Sequence, residues 1–200
     1  YSQLTAAFNY KFSYPKGSKG VNLRLFGASY INNDLAGLFT SELGLSQNNG
    51  SDHNLKDDLY FGRSDQQGIW SQQVGSNQNN AGFKSRSFFT TDEWIASLNL
   101  SVDLPVDLPL SFYLNIASYA NAKQLNVVSG GDPVVYELGA SFPIVEDVFE
   151  IYMPLIVSKD LQVNIADLGD DDFEQIVRSV SFYLNFGAMK KRLERDYYRF

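Results

Sequence analysis

Apolar and polar residues alternate strictly along two runs of about eleven residues each between Trp94 and Ala120, the length of a membrane-barrel strand. In the first run Trp94, Ala96, Leu98, Leu100, Val102 and Leu104 share one face. Ser97, Asn99, Ser101 and Asp103 lie opposite, with Ile95 the single apolar residue on the polar side. The second run sets Leu110, Phe112, Leu114 and Ile116 against Ser111, Tyr113, Asn115, Ala117 and Tyr119. A two-residue period is that of a β-strand with one dry and one wet face. Between the runs stands a tandem repeat, Val102-Asp103-Leu104-Pro105 followed by Val106-Asp107-Leu108-Pro109, whose prolines cannot donate to a ladder and end both strands. The predicted unit is an antiparallel hairpin with long arms.

Arm length and the chemistry of the wet face give this hairpin its meaning. Strands of globular proteins run to roughly 5–6 residues, whereas strands crossing a bilayer need about 9–11. The wet faces carry Ser and Asn where a water-exposed sheet usually carries Lys and Glu, and the dry faces carry Leu, Phe and Trp. That composition suits lipid outside and a narrow polar lumen inside.

The same period recurs along the chain. It predicts strands over 4–14, 21–31, 134–144, 149–158 and 179–188, the last with Val180, Phe182, Leu184 and Phe186 opposing Ser181, Tyr183, Asn185 and Gly187. Residues 15–20 and 32–34 read as turns, and 35–46, with weaker alternation, reads as a third strand. Over 47–91 the period fades and Asn, Gly and Ser crowd in. So long a connection is expected to be a folded excursion, a packed loop or an extra strand pair. Eight strands result, and from Trp94 onward their connections alternate short (105–109), long (121–133), short (145–148) and long (159–178). Outer-membrane barrels keep short turns on the periplasmic side. Counting back three strands from Trp94 then places the amino end in the periplasm and the excursion outside.

Composition narrows the class further. No composition break divides the chain, so residues 1–200 are expected to form one barrel-like domain. The net charge of −7 argues against nucleic acid, and the absence of cysteine excludes disulfides, thiolate metal sites and thiol nucleophiles. No run approaches the roughly 18 apolar residues of a membrane helix. The opening Tyr1-Ser2-Gln3 is no signal peptide, so an exported barrel needs a signal that was removed or lies upstream.

Catalysis has little to draw on. His53 is the only histidine, which excludes a multi-histidine metal site, and within its Asn/Asp/Gly-rich stretch it reads as a solvated loop residue rather than a ligand. Asp170-Asp171-Asp172 and Glu174 lack the spacing and glycine of a calcium loop and read as a solvated acidic loop. No catalytic, cofactor or metal residue is assigned. Arg63, with Gln72 and Gln73 behind it, forms the densest polar-aromatic cluster of the excursion, expected to pack internally and alternatively to contact a ligand or plug the barrel mouth. The wet-face Asn9, Asn22, Asn99, Asn115 and Asn185 are expected to hydrogen-bond across a filled interior rather than line a pore, because eight strands leave little room beyond side chains. Lys11, Arg24 and Glu137 are the wet-face charges that a soluble sheet would also tolerate.

Tyr60-Phe61-Gly62-Arg63, Ser71-Gln72-Gln73, Gly82-Phe83-Lys84, residues 94–100 and Phe149-Glu150-Ile151-Tyr152-Met153-Pro154-Leu155 together resemble the carboxy-terminal region of large M1-type (gluzincin) metallopeptidase-like envelope proteins of Bacteroidota. The resemblance spans roughly residues 60–200. It implies a non-catalytic β-rich segment; the zinc-binding helix of such proteins lies upstream, and no zinc ligand carries over. The terminal Tyr197-Tyr198-Arg199-Phe200 resembles the aromatic insertion signal of barrel proteins, although the charged run 190–195 intervenes after the last predicted strand.

The sequence therefore leads to an all-β, antiparallel up-and-down transmembrane barrel of about eight strands, with a soluble β-sandwich or half-barrel as the alternative. The expected role is a non-catalytic outer-membrane segment that anchors or supports a larger envelope protein, possibly one related to metallopeptidases. Its expected partners are membrane lipid and an upstream peptidase-like domain or other envelope proteins. The alternatives are a soluble periplasmic domain packed on a peptidase domain and a small pore or ligand-binding barrel.

Overall fold

The computed structural model describes residues 2–15, 19–32, 43–45, 69–75, 80–85, 90–91, 93–120, 134–161 and 179–197. The strands are β1 (Ser2–Ser13), β2 (Gly20–Asn32), β3 (Leu43–Gly44), β4 (Thr90–Thr91), β5 (Trp94–Asp103), β6 (Ser111–Tyr119), β7 (Val135–Val145), β8 (Phe149–Val157) and β9 (Ser181–Leu184). A 3-10 turn spans Ile69–Gln72, and helix α1 (Phe186–Tyr197) follows β9. Seven strands form one antiparallel sheet in the order β1-β2-β5-β6-β7-β8-β9, and β3 and β4 pair separately. Neighbours in the large sheet follow one another up and down, which curves it into a half-barrel. Among the described residues β1 and β9 do not pair with each other, so the sheet stays open.

Three expectations are corrected. The third strand expected over 35–46 is absent from the large sheet: β2 pairs directly with β5, in register from Val21↔Val102 to Ser29↔Trp94. Of that stretch the described Leu43–Leu45 turns inward, with Leu43 and Leu45 in the core and Leu43-Gly44 paired to Thr90-Thr91. Removing one crossing reverses β1 and β2. The turn after β1 now joins the rim of the other short turns, because Tyr14 Oη donates to Asp103 O (3.0 Å) and Gly20 N–H to Asp103 Oδ2 (2.8 Å). The amino end of β1 accordingly sits at the rim of the long connections, opposite to the expected side. The third correction is at the carboxy end. The strand expected over 179–188 stops at Leu184, where Asn185 caps a helix by accepting from Ala188 N–H through Oδ1 (2.9 Å).

Two large side-chain faces result from this register. One face carries the row Phe8↔Leu25↔Leu98↔Ile116↔Tyr136 from β1 to β7, and beside it Tyr10↔Leu23↔Leu100↔Leu114↔Leu138↔Ile156. Much of it faces outward: Phe8 is 58% exposed, Ile156 56% and Tyr136 41%. From β2 onward the other face is covered by segments that the long connections send back inside, whereas β1 is exposed on both faces. At the rim of those connections Phe26, Ala28, Ile95, Ala117, Tyr119 and Val135 meet Leu43, Leu45, Ala81, Phe83 and Leu161 in an apolar core. Ile95, the apolar residue on the polar side of its strand, belongs to this core. Toward the short-turn rim Val74 packs with Tyr113, Tyr152 and Tyr183.

One predicted outward residue is covered. Phe182 of β9 is buried, with the Trp70 ring 6.2 Å away at an edge-on angle. Val74 N–H donates to Phe182 O (2.8 Å), and Gln73 makes a parallel bridge to the same residue. The excursion thus lines the free edge of β9.

Candidate functional site

Halfway along the strands, one residue away from the apolar row, the inner face carries a polar one. Register places Asn9 opposite Arg24, Arg24 opposite Asn99, Asn99 opposite Asn115 and Asn115 opposite Glu137, each pair adjacent across a ladder. The side chains form a relay. Arg24 Nη1 donates to Asn99 Oδ1 (2.9 Å), Asn99 Nδ2 to Asn115 Oδ1 (2.9 Å) and Asn115 Nδ2 to Glu137 Oε1 (2.7 Å). An amide donates at one end and accepts at the other, so two asparagines carry the polarity from a cation on β2 to a carboxyl group on β7.

The relay also grips an inner strap, residues 80–85, of the sequence Asn-Ala-Gly-Phe-Lys-Ser. Arg24 Nη2 donates to Asn80 O (2.9 Å) and Asn99 Nδ2 to Ala81 O (2.7 Å). Glu137 takes the other end, accepting from Lys84 N–H through Oε1 and from both Ser85 N–H (2.8 Å) and Ser85 Oγ through Oε2. With Asn115 this makes four donors on one carboxyl group that is fully buried, 0% exposed, which matches the acceptor-only capacity of a carboxylate. Burying such a group without partners would cost several kcal/mol, so the strap and the relay stabilise one another. Ser181 Oγ of β9 donates to Lys84 O (2.5 Å), and Phe83 N–H to Leu45 O (3.1 Å). Gly82 lets the strap lie flat on the row: its φ is +82°, and a Cβ there would stand 2.7 Å from Asn99 Oδ1.

Beside the strap a cavity of about 480 Å³ remains, bordered by Lys11, Arg24, Lys84, Tyr113, Glu150 and Tyr152 among others. The Lys84 ammonium stands 4.6 Å from the centre of the Tyr152 ring, and the Tyr152 hydroxyl donates to Glu150 Oε2 (2.5 Å). Desolvation pulls Lys84 below the ordinary lysine range, Glu150 and Glu137 pull the other way, and Arg24 adds to the lowering. The chemistry on offer is positioning by hydrogen bonds and charge.

Of the residues singled out from sequence, Asn99 and Asn115 bond each other as ladder neighbours on adjacent strands, and both border the cavity. Asn9 and Asn22 border the cavity, and Asn185 is the helix cap instead of an interior residue. Gln72 ends the 3-10 turn and Gln73 is buried against β9, while Arg63 lies outside the described residues, as do His53 and Asp170–Asp172 with Glu174. The strap entered the sequence reading only as Gly82-Phe83-Lys84, one of the stretches that carry the resemblance. Its signal was on the sheet, in two opposite wet-face charges, Arg24 and Glu137, separated by asparagines. No protein-family model matches the chain, and neither a curated protein nor a solved structure does.

Proposed function

We propose that this chain is part of the wall of a bacterial outer-membrane β-barrel, with its own strap lying across the inner face, and that it anchors a larger envelope protein without catalysing a reaction itself. One observation carries the reading: midway along β2, β5, β6 and β7 the row turned inward is polar, Arg24, Asn99, Asn115 and Glu137, while the opposite face of the same strands is apolar and partly exposed. Asn115 and Glu137 are almost wholly enclosed, whereas Tyr136, next to Glu137 on β7, and Phe112, on the outward side of β6, are each 41% exposed. Connection lengths agree, with short turns gathered at one rim and long connections at the other.

An open sheet edge is not tolerated in hydrocarbon, because its backbone groups have no water to bond. The free edge of β1 is twelve residues long, so the reading requires further strands beside β1, supplied by the rest of the parent protein. The sequence resemblance to the terminal regions of metallopeptidase-like envelope proteins supports such a parent. The strap argues for an anchor over a pore, since Ala81 and Phe83 fill one end of the lumen and Glu137 holds Lys84 and Ser85 across its middle.

Extraction of the native protein tests this reading. It is expected to need detergent, and in a planar bilayer to give no steady conductance. A monodisperse, folded, detergent-free monomer would overturn the membrane assignment in favour of a soluble domain, and hydrolysis of aminoacyl substrates by the isolated chain would overturn the non-catalytic one.

A further inference from the structure

Helix α1 leaves the sheet at the short-turn rim, where Asn185 N–H donates to Val148 O (2.8 Å) in the turn between β7 and β8. Phe186, Met189 and Leu193 recur at i, i+3 and i+7 and so lie on one stripe. Leu193 is 62% exposed and Met189 37%. Basic residues crowd the same helix: Lys190, Lys191, Arg192 and Arg195 stand against Glu194 and Asp196, a positive balance in a chain of net charge −7. Only Lys190 has an acidic neighbour on the helix among the described ion pairs, Glu194 at 3.9 Å. The short-turn rim itself exposes Val106, Leu108 and Ile144.

We infer that α1 lies in the headgroup layer of an anionic phospholipid leaflet, with Met189 and Leu193 dipped toward the acyl chains and the flanking Lys190 and Arg192 on phosphate groups. The inference rests on the membrane reading above and extends it to a lipid contact outside the barrel wall. Two observations favour lipid over a protein groove as the occupant. The rim from which it starts exposes further aliphatic side chains in its turns. The flanking charge has the sign that anionic headgroups attract, and long basic side chains reach outward while their stems cover apolar surface.

The test uses the native protein, whose described chain contains no cysteine, in vesicles of neutral phosphatidylcholine or of phosphatidylcholine mixed with phosphatidylglycerol. An environment-sensitive fluorophore is attached at L193C and, in separate samples, at L98C on the barrel wall and at E194C on the flank of the helix. The expected result at Leu193 is quenching by lipid-borne nitroxide in the anionic vesicles, weak in the neutral ones, and reversed at about 1 M salt, where the screening length falls to about 3 Å. Quenching at Leu98 is expected in both vesicles at any salt, and Glu194 should remain open to aqueous iodide. K190Q combined with R192Q should reduce the Leu193 signal and leave that at Leu98 unchanged. Quenching at Leu98 with Leu193 open to iodide in both vesicles overturns this inference alone. So does salt-insensitive quenching at Leu193, or protection of Leu193 from both quenchers, which would mean a protein cover. Absence of quenching at Leu98 overturns the membrane reading and this one with it.

Discussion

Two rows of side chains one residue apart on the same four strands, β2, β5, β6 and β7, have opposite surroundings. Arg24, Asn99, Asn115 and Glu137 are on the side of the strap, and Leu25, Leu98, Ile116 and Tyr136 face away from it. The backbone ladder between them is shared, so the difference lies wholly in side-chain direction. A slip of one residue in any pair would carry a charge to the apolar side and a leucine to the polar one, which fixes register more firmly than either face could alone. The comparison also shows unequal tolerance. The outer row is a set of similar apolar contacts, each replaceable by another; the inner row is a chain of unlike partners, each with a distinct donor or acceptor role.

The largest expected effect therefore belongs to the inner row. Glu137→Leu leaves Lys84 N–H and Ser85 N–H without acceptors, at about 1–3 kcal/mol each, so a loss of roughly 2–6 kcal/mol is expected in denaturant unfolding. Glu137→Gln should be damaging too, since its amide would place donors against donors. A loss below about 1 kcal/mol for Glu137→Leu, the scale of one ordinary hydrogen bond, would mean that the relay does not hold the strap. On the outer row, Leu98→Arg is expected to cost about 2–4 kcal/mol in a bilayer, where the residue stands near mid-strand. The same change in detergent-free buffer should be nearly neutral for a soluble sheet with that face in water, so the two environments separate the readings.

Smaller effects sharpen the contrast. Gly82→Ala puts a side chain on a left-handed backbone and against the Asn99 amide, and a loss of about 1–2 kcal/mol is expected. Asn99→Ala in the same background should recover part of it by making room, which a double-mutant cycle measures. Asn185→Ala, outside both rows, should lower stability by only about 1 kcal/mol and reduce helical circular dichroism from α1.

How far the sequence shows this fold depends on which force sets each element. Strands β2 and β5 to β8 are readable because each separates two environments, and a two-residue period records that separation directly; β1 carries the same period although both of its faces are exposed. The stretch 35–46 misleads for the same reason. Leu43 and Leu45 alternate around Gly44 as strand residues would, yet both point into the core from a two-residue ladder. That one false crossing reversed the orientation assigned to β1. At the carboxy end Phe186 fits both the strand series Val180, Phe182, Leu184 and the helical series Met189, Leu193, and the Asn185 cap decides between them. The strap has no period to read, since its backbone is bound by side chains of four other strands. Glu137 and Arg24 were visible as charges out of place, but only register brings them onto one row.

The central claim is that the inner and outer rows face different solvents, and a nitroxide scan of consecutive single-cysteine variants from Ile95 to Ser101, in the native protein in a bilayer, tests it most directly. Collision with oxygen, which concentrates in lipid, is expected to alternate residue by residue: high at Ala96, Leu98 and Leu100, low at Ile95, Ser97, Asn99 and Ser101. Uniform protection along the scan, or high collision with a water-soluble nickel chelate at Leu98 and Leu100, would contradict it.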